Sequence, residues 1–213
     1  MQAVESETLI LYHTDLRGEW PEAAARGFAA RLPYARRLAA QADRDGDARR
    51  ASLAGVALAL QALARLAGRS VRAGELVFRR GEKPRLALND DGDGDADGGR
   101  AGPDFSISHS GHWVGCAAVG RGVVGFDVEL GTGARCTQWV VREALLKATG
   151  EGLRAVEDTR AVAPTAAGVS WRGKWWHLAR LPMFTGAAAC VVSSHPLRAI
   201  EARFSALGEL FAP

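Results

Sequence analysis

The segment from 47 to 67, DARRASLAGVALALQALARLA, constrains the fold more than any other stretch. Leu53, Val56, Leu60, Leu63 and Ala67 recur at helical spacing, and Gly68 follows as a stop. Most of the remaining chain reads as short strands around this helix. Residues 7–13 (ETLILYH) form an opening strand, and 19–42, Ala- and Arg-rich and broken at Pro33, form two short helices. After the long helix come a strand at 75–79, a turn at GEKP (81–84) and a short apolar piece at 85–88. Strands follow at 104–110, 113–119 and 122–130, with Gly120, Arg121 and Gly122 as a tight turn between the last two. A helix over 137–149 is capped by Thr137 and ended by Gly150 and Gly152. Residues 175–180 and 187–193 read as strands, while 153–180 as a whole has no single reading. Strand, helices and strands are thus followed by strands, one helix and strands. That order predicts an α+β fold with α/β-type halves, a repeat of layout rather than of residues.

Composition narrows the class. The 213 residues, 47% hydrophobic and 24% charged, suit one large domain or two small ones with a sizeable core. Lys and Arg number 27 and Asp and Glu 24, a net +3. That mild excess is no nucleic-acid signature, and no helix-turn-helix, zinc or RNP-like pattern accompanies it. Five aspartates, Asp90, Asp91, Asp93, Asp95 and Asp97, crowd the Gly-rich run 89–99, so the rest of the chain is more basic than the total and suits an anionic ligand. The run alternates Asp as a calcium loop does, but it lacks the closing Glu and the flanking helices, and it reads as a solvated acidic loop. Cys116, Cys136 and Cys190 are too few and too scattered for a disulfide scaffold. No stretch approaches the roughly 20 apolar residues of a membrane span. The first residues do not read as a signal peptide, so a cytoplasmic protein is expected.

The chemistry concentrates in Phe126-Asp127-Val128-Glu129. Side chains on a strand alternate, so Asp127 and Glu129 share one face, about 6–7 Å apart, and can share a hard cation such as magnesium. The plainer alternative is a solvated strand face carrying two ordinary acids. On the 137–149 helix, Glu143 and Lys147 stand at i and i+4, either a surface ion pair or, if that face turns toward Asp127, a third acid and a cation for the same site. Trp139 lies one turn before Glu143. Ser106, Ser108, His109 and Ser110 alternate with Phe105 and Ile107 as on a half-buried strand, and hydroxyls and imidazole at a strand end suit a phosphate or carboxylate. Ser108, His109 and Asp127 do not make a hydrolytic triad: adjacent Ser and His diverge on a strand, and no GxSxG elbow is present. Lys83 beyond the basic pair Arg79 and Arg80, and Arg50 beside Arg49, are candidate phosphate contacts.

Four segments, in this order, resemble the 4′-phosphopantetheinyl transferases of the surfactin-synthetase-activating type. They are GEKPRL (81–86), FSISHSGHWVGCAAV (105–119), GFDVE (125–129) and WVVREALLKATGEGL (139–153). The resemblance covers roughly residues 79–153; the flanks agree only in character. It implies a pseudodimer of two similar subdomains, here 1–120 and 121–213, with coenzyme A between them. It implies magnesium held by Asp127, Glu129 and Glu143, with Asp127, Glu143 and Lys147 as catalytic residues: Glu143 as general base and Lys147 at phosphate and leaving group. It also implies coenzyme A contacts from Arg50, Lys83, Ser108, His109 and Lys147. The implied partner is an acyl or peptidyl carrier protein whose serine receives the phosphopantetheinyl arm; the implied state is a monomer without nucleic acid or membrane. Two features depart from the family. Only ten positions separate Glu129 from Trp139, where the family carries tens of residues including a helix beside the carrier site, and Arg142 stands where Lys is usual. A coenzyme A-binding protein without transfer, and a metal-dependent phosphate-ester hydrolase on the same carboxylates, are the alternatives.

Overall fold

The computed structural model describes residues 6–33, 46–79, 82–87 and 102–211. The expected second helix of the Pro33 pair, Gly81 of GEKPRL, Leu88 and the acidic run 89–99 lie outside these residues. Within them the chain is a mixed α+β protein with two four-stranded sheets. The first sheet is ordered β10 (Leu197–Phe204), β1 (Glu7–Asp15), β5 (Trp113–Val119), β4 (Asp104–Ser110). The second is ordered β6 (Val124–Leu130), β9 (Ala187–Ser193), β8 (Lys174–Arg180), β7 (Gly168–Trp171). A small ribbon pairs β2 (Leu76–Val77) with β3 (Arg85–Leu86). The 75–79 strand is therefore shorter than expected, because Ala73–Glu75 winds into a 3-10 turn first.

The sheets stack, and helices cover their outer faces. Helix α2 (Gly46–Ala67) lies on the first sheet, against Ile10, Val114, Cys116 and Ala118, and α1 (Glu22–Ala30) adds Ala25 and Phe28 to the same core. Alternate residues on the same strands, Leu9, Leu11, Trp113, Ala117 and Val119, face the second sheet and meet Val124, Phe126, Val128 and Val191. Helix α3 (Ala134–Thr149) closes the far side over Val169, Leu178, Cys190 and Val192. Period-two alternation thus builds two cores from one set of strands. Gly115 sits where the sheets touch; a Cβ there would stand 2.7 Å from the Phe126 ring. Contrary to the expectation that no stretch approaches a membrane span, α2 is long and apolar enough to cross a membrane by length and composition, and 56% of its 18-residue apolar window is buried inside the fold.

Three expectations need correction. Residues 120–122 do not close a hairpin: β5 pairs with β1 and β4, β6 pairs with β9, and the chain crosses here from one sheet to the other. Helix α3 begins at Ala134, a turn before Thr137, whose hydroxyl donates back to the Gly133 carbonyl (3.2 Å) instead of capping. The division near 120 follows the crossover, but β10 returns to the first sheet, parallel to β1, and Leu207, Leu210 and Phe211 join the α2 core. The second half is therefore not a continuous block. The β7–β8 hairpin, within the unassigned stretch, turns on Arg172 (φ 49°) and Gly173 (φ 77°), both left-handed as a two-residue I′ turn requires.

His13 on β1 is buried against Trp113, Phe184 and Phe204, and its Nδ1 has no partner among the described residues. Burial lowers its pKa. The unfolded chain, with an ordinary histidine near 6.5, takes up that proton first as pH falls, so the stability of neutral, buried His13 is present above about 6.5 and is lost below it. His177, lowered by burial and then by His195, adds to the same slope. His13→Phe is expected to keep the melting temperature near wild type at pH 8 and to flatten its decline between pH 7 and 5. An unchanged slope in pH-dependent thermal melts would refute this.

Candidate functional site

The site lies where two edge strands, β4 and β6, run side by side without a backbone ladder. Side chains of β4 take the place of the missing partner strand. The Val124 N–H donates to Asp104 Oδ2 (2.7 Å), that of Phe126 to Ser106 Oγ (3.0 Å) and that of Leu130 to Ser110 Oγ (3.1 Å). These bonds satisfy edge donors that would otherwise be unpaired in a buried seam. Ser108, in the same row, differs: its hydroxyl donates to the side chain of Asp127, at Oδ1 (2.7 Å). The alternation of Asp104, Ser106, Ser108 and Ser110 is visible in the sequence, but the strand it would serve is not.

Helix α3 delivers the remaining groups. It lies against the β6 face that carries Gly125, Asp127 and Glu129, and at Gly125 the backbones approach so closely that a Cβ would strike the Ala144 carbonyl. This contact presents Glu143 and Lys147, each adjacent to a contact residue, to Asp127. Lys147 Nζ donates to Asp127 Oδ1 (2.7 Å) and to Ser108 Oγ (2.8 Å), and lies 3.9 Å from Glu143. The i,i+4 pair read from the sequence is thus one edge of a larger cluster. Asp127 is almost wholly buried, and its second oxygen, Oδ2, is buried with no partner among the described residues. Burial raises the Glu143 pKa, and the charges of Asp127 and Glu129 add to the rise against the opposing pull of Lys147. Glu129 is half-buried on the same face as Asp127.

The other candidates fall around this cluster. Lys83 Nζ donates to the buried Asp104 carboxylate and to the Val124 carbonyl (2.7 Å), so it neutralises the first acid of the seam. Lys83 and Lys147 both line a cavity of about 200 Å³ with Pro84, Leu146, Gly150 and Gly152. His109 is exposed, on the β4 face opposite Ser108. Arg50 lies elsewhere: it pairs with Asp47 (3.9 Å), stands over the Trp20 ring (5.6 Å) and lines a separate cavity of about 160 Å³ with Arg26 and Arg49. Cys116 and Cys190 are buried thiols whose pKa values burial pushes up, which leaves them unreactive. Sequence reasoning passed over Asp104 as the partner of Lys83, and Gly125 as the contact that seats α3.

Among the described residues no three His, Cys, Asp or Glu side chains are drawn together into a formed metal cluster. The donor set nevertheless fits a hard cation. All three acids offer oxygen, and Asp127 Oδ2, without a partner among the described residues, is a vacant acceptor. Fold and site together define a mixed α+β protein with a carboxylate–lysine–hydroxyl cluster at the seam of two sheets. No family model and no curated protein matches the chain.

Proposed function

We propose that this chain transfers the 4′-phosphopantetheinyl arm of coenzyme A to a serine hydroxyl of an acyl or peptidyl carrier protein, releasing 3′,5′-adenosine bisphosphate. The observation that carries this reading is the mutual contact of Ser108, Asp127 and Lys147, with Glu143 beside them. Three segments that resemble separate motifs of the transferase family meet at one point. The strand order supports the pseudodimer reading as well. In each sheet the first strand of a half pairs with that half's last antiparallel strand, and that strand with the one before it: β1–β5–β4 and β6–β9–β8.

Each group has a role that its surroundings suit. Lys147, part-exposed between Asp127 and the 200 Å³ cavity, offers its ammonium to a phosphate and to the charge that develops on the leaving oxygen. Ser108 and Asp127 hold that ammonium in place. Glu143, with its raised pKa, accepts the proton of the attacking serine hydroxyl; the new bond forms from that oxygen to the β-phosphorus, and the bond to the bridging oxygen breaks. Asp127, Glu129 and Glu143 would hold magnesium, which when bound supplies charge neutralisation at the pyrophosphate. Lys83, which also lines this cavity, is the candidate contact for the adenosine and 3′-phosphate end of coenzyme A. That cavity is small against the roughly 300–1,000 Å³ of common ligand pockets, so it takes only one part of coenzyme A. The reading carries with it a cytoplasmic monomer.

The test is an incubation of the chain with coenzyme A, magnesium and apo-carrier proteins of fatty-acid, polyketide and peptide type, followed by intact-protein mass measurement. A mass gain of one phosphopantetheine arm on at least one carrier is expected. No gain on any of them sinks the reading, and release of phosphate from coenzyme A without a carrier would replace it with hydrolysis.

A further inference from the structure

A large cavity lies remote from the seam. It holds about 670 Å³ between the outer face of α2, the end of α1, the 70–74 loop and the C-terminal turn. Its lining is mostly apolar, with Phe28, Leu60, Val71 and Phe211, and it includes two arginines, Arg31 and Arg72. The wall is built rather than incidental. Gln61 donates to the Leu210 carbonyl (3.4 Å) and accepts from the Ser205 hydroxyl (2.8 Å), which ties the C-terminal turn to α2. Phe211 packs on Phe28 (ring centroids 5.2 Å apart) and Trp20 (5.3 Å), which holds the far side.

The charge on the rim is lopsided. Arg31 is exposed and rests over the Phe28 ring, 6.0 Å from its centroid. Arg72 is exposed, and the acid beside it, Glu75, is already engaged by Arg69 (2.8 Å) and by the Arg72 backbone N–H (2.8 Å). A concave apolar space of this volume with a few convergent polar groups is the usual form of a small-molecule site. Two arginines in an otherwise apolar lining favour an anion, and a planar guanidinium matches a carboxylate.

We propose that this cavity binds an amphipathic carboxylate, its apolar body laid against Phe28, Leu60 and Phe211 and its carboxylate met by Arg31 and Arg72. The site is independent of the transferase reading, because it shares no residue with the seam cluster.

The probe is decanoate, titrated by calorimetry below its aggregation range and by displacement of a dansylated fatty acid. Saturable one-to-one binding is expected. The double variant Arg31→Glu, Arg72→Glu should weaken decanoate about tenfold or more while leaving uncharged 1-decanol unchanged. Gly74→Phe should weaken both, since Gly74 lines the cavity and has room for a side chain, a Cβ there meeting no atom within 4 Å. Asp127→Ala should leave decanoate binding as in wild type. Arg31, Arg72 and Gly74 are exposed, so the variants are expected to fold, and thermal melts verify it. Non-saturable binding overturns the proposal, as does equal affinity in the charge-reversed variant or in folded Gly74→Phe.

Discussion

Asp127→Ala is expected to reduce phosphopantetheinyl transfer by about a hundred- to a thousandfold, the scale seen when one preorganised electrostatic contact is removed from a reacting centre. The carboxylate is the hub of the cluster. It accepts from Ser108 and Lys147 through Oδ1 and keeps a buried Oδ2 without a partner among the described residues. Without it Ser108 loses its acceptor, Lys147 keeps only Ser108 Oγ and the more distant Glu143 (3.9 Å), and a candidate cation ligand is gone. The cost in stability should be far smaller. Lys147 is part-exposed and water can solvate it, so roughly 1–3 kcal/mol is expected, a loss of a few degrees in Tm. Asp127→Asn separates the two effects. It retains an acceptor for Ser108 and so should recover much of the stability, but it carries no charge and should remain as inactive as the alanine variant. Transfer rates from intact-protein mass spectra, read beside thermal melts, check both. Activity of Asp127→Ala within tenfold of wild type would remove Asp127 from the reacting centre.

What the sequence discloses about this site follows from the range over which each pattern acts. The Glu143–Lys147 pair and the shared face of Asp127 and Glu129 come from periods of 3.6 and 2 within single elements, and both were legible. The same holds for α2, where Leu53, Val56 and Leu63 of the expected repeat are buried, while Leu60 is part-buried and Ala67 exposed. The seam was not legible, because it joins β4 to β6 through side chains and leaves no ladder pattern in either strand. The crossover at 120–122 carries the same glycines as a hairpin turn, and only the pairing of β6 with β9 separates the two. Strand β10 escaped for a different reason. As an edge strand it exposes most of its side chains, including Arg198 and Arg203, so its apolar alternation is diluted. At the start of α3 the cap is Gly133, whose missing side chain gives no signal, while Thr137 gives a misleading one.

Gly125→Ala tests whether the backbone contact between β6 and α3 sets the site geometry. Gly125 is absent from the left-handed positions of the chain, so its backbone would accept alanine; space is what excludes it. The new methyl would strike the Ala144 carbonyl oxygen and lie 2.5 Å from the Ala148 nitrogen. These are helix backbone atoms, and no rotamer change can move them aside, so α3 must shift off the sheet. Overpacking of this kind costs about 3 kcal/mol or more, which in a chain of this size lowers Tm by roughly 6–12 °C. Transfer should suffer more than stability. Glu143 and Lys147 flank the two contact residues, and displacement of α3 stretches the Lys147 bonds to Asp127 and Ser108 that now measure 2.7 and 2.8 Å. Gly27→Ala is the control. It lies in α1, where a Cβ meets nothing within 4 Å, and replacing a helical glycine should leave transfer intact and raise stability by about 0.5–1 kcal/mol. A Gly125→Ala protein that melts with wild type and transfers at the wild-type rate would mean that α3 is not seated on β6 as described, and the positions of Glu143 and Lys147 would fall with it.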